Sequence, residues 1–434
     1  MSQSSPNPAN ADATASQRAL LERRARLLGP TYRAFYRNPI HLVRGSGVWL
    51  YDAQGRKFLD AYNNVASVGH CHPRVVEALS GQAATLNTHT RYLSEIILDY
   101  AEKLLGTCPP HLGHAMFTCT GSEANDLAIR IAQHSSGGTG VIITDFAYHG
   151  ATIATAQLSP AAVGAKGVPA HHRTVAGPDT FRDHGRTARD FAKNVAAAID
   201  SMRAQNIRPA AMLLDSAFSS DGIFFPDAEV MREAADHVKN AGGIVIADEV
   251  QSGFGRLGQG MWGFANYGIE PDIVTLGKPI GAGHPMGAVL VRPQLVASFG
   301  SNTGYFNTFG GNPVAAAVGI AVLDVIEGEG LIENARMVGA YTADLLSALQ
   351  GRHGMVADVR HNGLYFGVEL TAEGDEALAA TKTSAVVEAM REDGVLISSC
   401  GPRGNVLKIR PPLPFARDNA EQLAETLDRA LSQW

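Results

Sequence analysis

Short, nearly all-apolar runs recur through the middle of the chain, at 141–144, 211–214, 243–247 and 273–276. Strands covered by helices on both faces of a parallel sheet have this composition, because neither face meets water. Between the runs lie stripes of helical period. Ile96, Ile97, Tyr100, Ala101, Leu104 and Leu105 form one, closed by Gly106, and residues 124–132 form another. Strand and helix in alternation predict an α/β domain built on a parallel sheet.

The ends of the chain carry weaker patterns. Residues 18–28 place leucines on one face and arginines on the other and stop at Gly29-Pro30, which predicts a short amphipathic helix. Residues 41–61 alternate apolar and polar positions about the turn from Asp52 to Gly55, a hairpin pattern. After Ala315 come a long helical pattern, a hairpin-like LYFGVEL and a last helix over 418–432. This sparser region predicts a smaller α+β lobe. The expected division is a disordered tail at 1–17, a large domain at 71–315, and a small domain made of 18–70 and 316–434.

Composition narrows the function classes. Apolar residues are 45% of the 434, and no uninterrupted apolar run is long enough to span a bilayer. The formal charge of −6 provides no basic field for nucleic acid or anionic lipid, so any anion site is local. The first seventeen residues lack the basic start and apolar run of a secretory signal. Four cysteines without a CxxC pair favour a reducing compartment, and a cytoplasmic protein is expected. His70-Cys71-His72 is poor metal spacing, because a distant second pair is missing, so no metal site is expected. Gly281-Ala-Gly283 lacks the spacing of a dinucleotide fingerprint. Cys119 and Cys400 are expected to be buried small residues rather than nucleophiles.

Two constellations carry chemistry. GGIVIADEVQSGFGR at 242–256 and PDIVTLGKP at 271–279 each put a polar group at the carboxyl end of an apolar strand, the edge where open α/β sheets bind ligands. Asp248 and Lys278 could therefore face one cleft. Desolvation there would favour the neutral, nucleophilic amine of Lys278, the form that makes a Schiff base with an aldehyde cofactor. Asp248 would stay ionised beside a cation such as a protonated pyridine nitrogen. A buried Asp248–Lys278 ion pair is the alternative. The second constellation, TCTGSEAN at 118–125, opens a helix. Thr120 and Glu123 fit a capping box, leaving the amides near Gly121 and Ser122 for an anion such as phosphate.

Taken together, these segments resemble the class III (subgroup II) aminotransferases, a family of pyridoxal-phosphate enzymes, from about Asn38 to the C-terminus. The matching motifs are VGHCHP (68–73), TGSEAN (120–125), AYHG (147–150), IADEVQSGFGR (246–256), TLGKPIGAGHPMGAV (275–289), NTFGGNP (307–313) and LKIRPPL (407–413). The resemblance implies a fold-type I α/β architecture with a mostly parallel seven-stranded-type sheet, pyridoxal 5'-phosphate as cofactor, and a homodimer with its active site at the subunit interface. It makes Lys278 the Schiff-base lysine and Asp248 the partner of the pyridine nitrogen. Val250 and Tyr148 sandwich the ring, and Gln251 lies near its phenolic oxygen. Gly121, Ser122 and, from the other subunit, Thr308 bind the cofactor phosphate.

Substrate is read from departures within the family. Many ω-aminotransferases carry a segment like EPxQxExG whose second glutamate gates a substrate-binding arginine; here the matching stretch is DSAFSSDG, with Ser220 at the gate. NNVASVGHCHP, NTHTRYL, GKPIGAGHP and NVLKIRPPL are similar to a branch of phospho-lyases that act on phosphorylated amines. The expected reaction is β-elimination of phosphate from phosphoethanolamine, giving acetaldehyde, ammonia and phosphate. The alternative is an ω-aminotransferase for a carboxylated amine. Arg410, which ends the strand pattern of LKIRPPL, is the expected anion-binding residue, with Arg91 as a second contact.

Overall fold

A computed structural model describes residues 15–372 and 374–434. The central sheet has seven strands: β1 (His114–Thr118), β2 (Gly140–Thr144), β3 (Arg173–Val175), β4 (Pro209–Asp215), β5 (Ile244–Asp248), β6 (Ile273–Leu276) and β7 (Gly287–Val291). Their spatial order is β1-β7-β6-β5-β4-β2-β3. Only β7 runs against the others, pairing antiparallel with both β1 and β6. All four predicted apolar runs are inner strands of this sheet. Every residue of β2, β6 and β7 is buried, as two-sided helix cover requires.

Two four-stranded sheets complete the structure. One joins Leu42–Ser46, Trp49–Asp52 and Lys57–Asp60 to Val395–Leu396, so that the N-terminal meander pairs with a distant segment in parallel. The Asp52 turn forms as expected, its carboxylate accepting from the amides of Gln54 and Arg56 at 3.0 and 2.8 Å. The expected single hairpin is, however, a three-stranded meander. The other sheet contains Val356–His361, Phe366–Leu370, Ser398–Cys400 and Val406–Ile409.

Two expected boundaries move. Residues 15–17, assigned to the tail, begin the helix Ala15–Leu28, while residues 1–14 lie outside the described residues. The boundary at 315 falls inside the helix Pro313–Gly328, whose first turn is fixed by the Asn312 side chain accepting from the Ala315 amide at 3.0 Å. No helix among the described residues is long and apolar enough to cross a membrane.

Candidate active site

The carboxyl ends of β4, β5 and β6 and the N-terminus of the helix Gly121–Ser136 meet around a cavity of about 120 Å³. Gly121, Ser122, Tyr148, Asp248, Val250, Gln251 and Lys278 line it, together with Asn125, His149, Gly150 and Asp215. Seven of the residues expected from sequence thus share one cleft.

Close backbone approach builds the cavity wall. Gly277, which precedes Lys278, lies against the start of the helix, where an added Cβ would come within 2.9 Å of the Gly121 Cα. At Gly121 itself a Cβ would meet Val250 at 2.8 Å. Both glycines are therefore required for the lysine turn, Val250 and the helix N-terminus to converge. Lys278 sits there with a φ of 31°, an uncommon value for a side-chain-bearing residue, which the surrounding packing must hold.

Asp248 is 5% exposed and already oriented. Its Oδ2 accepts from Asn125 Nδ2 at 2.9 Å and from His149 Nδ1 at 2.8 Å, and its Oδ1 accepts from the Val250 amide at 3.1 Å. Asn125 is held in turn by the Thr275 hydroxyl, which donates to its Oδ1 at 2.6 Å. The neighbouring carboxylate has a different task. Glu249 accepts from the hydroxyls of Ser216 and Ser252 and the amides of Gly263 and Phe264, bracing the 263–267 turn away from the cavity.

Lys278 forms no ion pair among the described residues, so the buried Asp248–Lys278 pair does not exist here. Burial lowers the pKa of Lys278 and Arg410 adds to that effect, while Asp248 and Asp215 oppose it. The balance favours the neutral amine. Arg410, 5% exposed, donates to the Gln251 side-chain oxygen and lies 4.6 Å from the Tyr62 ring.

Other expectations are modified. Thr120 caps the helix by accepting from the Glu123 amide at 3.1 Å, but Glu123 reaches back to the Cys119 amide rather than that of Thr120. The capping box is therefore half formed, and the Gly121 and Ser122 end stays open to the cavity. His70 and His72 turn to different carboxylates, Asp60 at 2.7 Å and Glu329 at 3.0 Å, and their segment is a structural turn. Cys119 and Cys400 are only partly buried. Arg91 and Thr308 do not line the cavity of their own chain. Both are exposed, and the Arg91 guanidinium lies 3.8 Å from the Phe306 ring. Arg91, expected as a second substrate contact, lies outside the cleft of its own chain with its side chain on an aromatic face.

Asn125 and His149 are the partners that the sequence reading missed. Each stands beside a residue it did single out, in TGSEAN and AYHG, but only the tertiary fold brings positions 125, 149 and 248 together. The cavity fits an anionic, planar heteroaromatic group. A helix N-terminus faces it for phosphate, an ionisable carboxylate has a lone pair to spare, and a desolvated amine stands at its rim. The His149 Nε2 is buried with no partner.

A model of class III aminotransferases matches residues 32–431. An ethanolamine-phosphate phospho-lyase homolog from Caenorhabditis elegans is 36% identical, with 99% of this chain and 96% of that protein covered. An alanine–glyoxylate aminotransferase 2-like protein of Drosophila melanogaster is 38% identical over 91% of this chain and 83% of its own. Among solved structures, an Arthrobacter phospholyase in complex with phosphoethanolamine is 43% identical with a TM-score of 0.91, covering 96% of this chain and all of its own (100%). A Pseudomonas amine transaminase in its pyridoxal-phosphate-bound form is 27% identical with a TM-score of 0.83, covering 91% and 95%. With its sheet, cleft and motifs in this arrangement, the chain is a pyridoxal-phosphate enzyme of the class III aminotransferase family.

Proposed function

We propose that this enzyme is an ethanolamine-phosphate phospho-lyase, acting as a cytoplasmic homodimer in which Thr308 of each copy reaches the cofactor phosphate of the other. One observation carries the substrate assignment: among the described residues, buried Arg410 has no carboxylate partner, and Ser220 stands where many ω-aminotransferases hold their gating glutamate. An unpaired buried guanidinium is costly unless an anion completes it. The phosphoethanolamine complex of the Arthrobacter relative, at 43% identity, supports the choice of anion. Exposed Phe306 and Phe309, on either side of Thr308, suit a subunit contact, and four unpaired cysteines suit a reducing compartment.

Bound pyridoxal phosphate supplies the aldehyde that captures the substrate amine and an electron sink for the neighbouring carbon. Gly121 and Ser122 would hold the cofactor phosphate at the helix N-terminus, and Val250 and Tyr148, which also line the cavity, would hold its ring. Asp248, fixed by Asn125, His149 and the Val250 amide, would keep the ring nitrogen protonated. Lys278 takes the proton from the carbon bearing nitrogen. Arg410 holds the substrate phosphate on the adjacent carbon, which leaves with the C–O electron pair. Hydrolysis of the remaining two-carbon unit gives acetaldehyde and ammonia.

The pure holoenzyme incubated with phosphoethanolamine should release phosphate and acetaldehyde in equal amounts. Arg410→Ala should lower kcat/KM on that substrate by roughly 30-fold to several thousand-fold, the usual loss when one partner of a desolvated charge contact is removed. A second reading, an ω-aminotransferase for a carboxylated amine, is favoured by the aminotransferase relatives and by the fit of a guanidinium fork to carboxylate. Wild-type activity confined to a carboxylated ω-amine with pyruvate would overturn the phospho-lyase assignment and establish this one.

A further inference from the structure

The strand Val406–Ile409 carries Lys408 and runs directly into Arg410, so the two side chains leave the same face of the chain. Lys408 is 7% exposed, and Arg256, from the loop after β5, is 2% exposed. Among the described residues, none of Arg256, Lys408 and Arg410 pairs with a carboxylate. Three basic groups buried close to one another with no directly paired carboxylate form an arrangement that repels itself.

Their hydrogen bonds differ in a way that separates their roles. Arg256 donates to the backbone carbonyls of Leu364 and Pro411, so it braces the backbone on either side. Lys408 makes one bond, from Nζ to the Ser219 carbonyl at 2.7 Å, leaving two of the three donors of an ammonium. Arg410 keeps a buried Nε without a partner. Donors thus remain unused on both side chains of one strand face; Arg410 meets Gln251 of the cavity wall, and the charge of Asp215, also of that wall, acts on Lys408. A monoanion such as a carboxylate is neutralised by one guanidinium, whereas a phosphate dianion requires a second positive charge. Arg91, exposed against Phe306, does not supply it from within this chain.

We propose that Lys408 is the second cation of the substrate-phosphate seat, binding the dianion jointly with Arg410. This rests on the phospho-lyase reading and deepens it. The charge balance around Lys408 agrees with a seat for an anion. Burial and Arg410 push its pKa down to about 7, Lys278 adds slightly to that, and Cys400 and Asp215 oppose it. A bound dianion would reverse the sign of this environment and hold the ammonium charged.

Inorganic phosphate titrated into the holoenzyme, whose cofactor occupies the other phosphate site, tests the seat directly. Lys408→Met should weaken phosphate binding roughly 30-fold or more and raise KM for phosphoethanolamine more than it lowers kcat. Lys408→Arg, which keeps the charge, should recover most of the affinity. The cofactor should remain fully bound in both, since Lys408 does not line its cavity. A Lys408→Met holoenzyme that binds phosphate within about threefold of wild type would overturn the proposal, and Lys408→Gln decides in the same way should the methionine variant not fold. Wild-type enzyme unable to release phosphate from phosphoethanolamine would instead remove the phospho-lyase reading, with the titration still judging Lys408.

Discussion

Lys278→Ala is expected to abolish turnover and with it the borohydride-reducible link between protein and cofactor. Positioned proton transfer alone contributes about 10²–10⁴-fold to catalysis, and loss of the covalent anchor adds to that. The variant should still fold, because the turn is held by Gly277 against Gly121 and by Pro279, Ile280 and Gly281, all buried. Removing the side chain at a φ of 31° also leaves a residue, alanine, that tolerates the position no better than lysine does. Lys278→Arg should not rescue activity. A guanidinium stays protonated at any working pH, whereas burial lowers the pKa of Lys278 and shifts it toward the neutral amine. Phosphate release by either variant at a near wild-type rate, with a reducible lysine adduct retained, would refute the assignment of this lysine.

The legible parts of this molecule are those in which local composition answers to burial. Residues 141–144 and 273–276 could be read as strands because both their faces are covered, and Asp248 and Lys278 because a charge at the end of such a strand has few structural uses. Where a role depends on contacts between distant segments, the sequence was less informative. His149 stood next to Tyr148 in AYHG, but its bond to Asp248 crosses 99 positions of chain and follows from how β2 and β5 flank β4. Lys408 could be placed on the same strand face as Arg410, yet nothing in LKIRPPL says that its Nζ is enclosed and short of partners. Asn312-Pro313 was a readable helix start, with a capping side chain followed by a residue suited to the first turn. The apolar run after Ala315 continues that helix. Nor could a charge in HTRYL be told, from the sequence, from one stacked on an exposed aromatic ring, which is where Arg91 lies within one chain.

Asp248→Asn is expected to fold and bind cofactor while slowing C–H cleavage by several decades. Three donors converge on this carboxylate: Asn125 Nδ2, His149 Nδ1 and the Val250 amide. An amide offers one acceptor oxygen where the carboxylate offers two, so its NH₂ group faces the Val250 amide if it takes the place of Oδ1, or Asn125 and His149 if it takes that of Oδ2, at about 1–3 kcal/mol for each unpaired buried group. His149 can relieve part of it. Its Nε2 has no partner, so the ring can move its proton there and turn Nδ1 into an acceptor. The chemistry has no such relief. A neutral side chain cannot hold a proton on the cofactor's ring nitrogen, and an uncharged ring withdraws electrons far less strongly from the carbon that Lys278 deprotonates. Asp248→Glu keeps the charge but moves it by one methylene away from the donors that aim it, so its rate should lie between wild type and the amide. Loss of deuterium from the amine-bearing carbon of labelled phosphoethanolamine, followed in single turnovers, measures this step apart from binding and product release. Unchanged loss of label in Asp248→Asn, with cofactor absorbance confirming full occupancy, would mean that another acid protonates the ring and that Asp248 serves only to hold Asn125 and His149 in place.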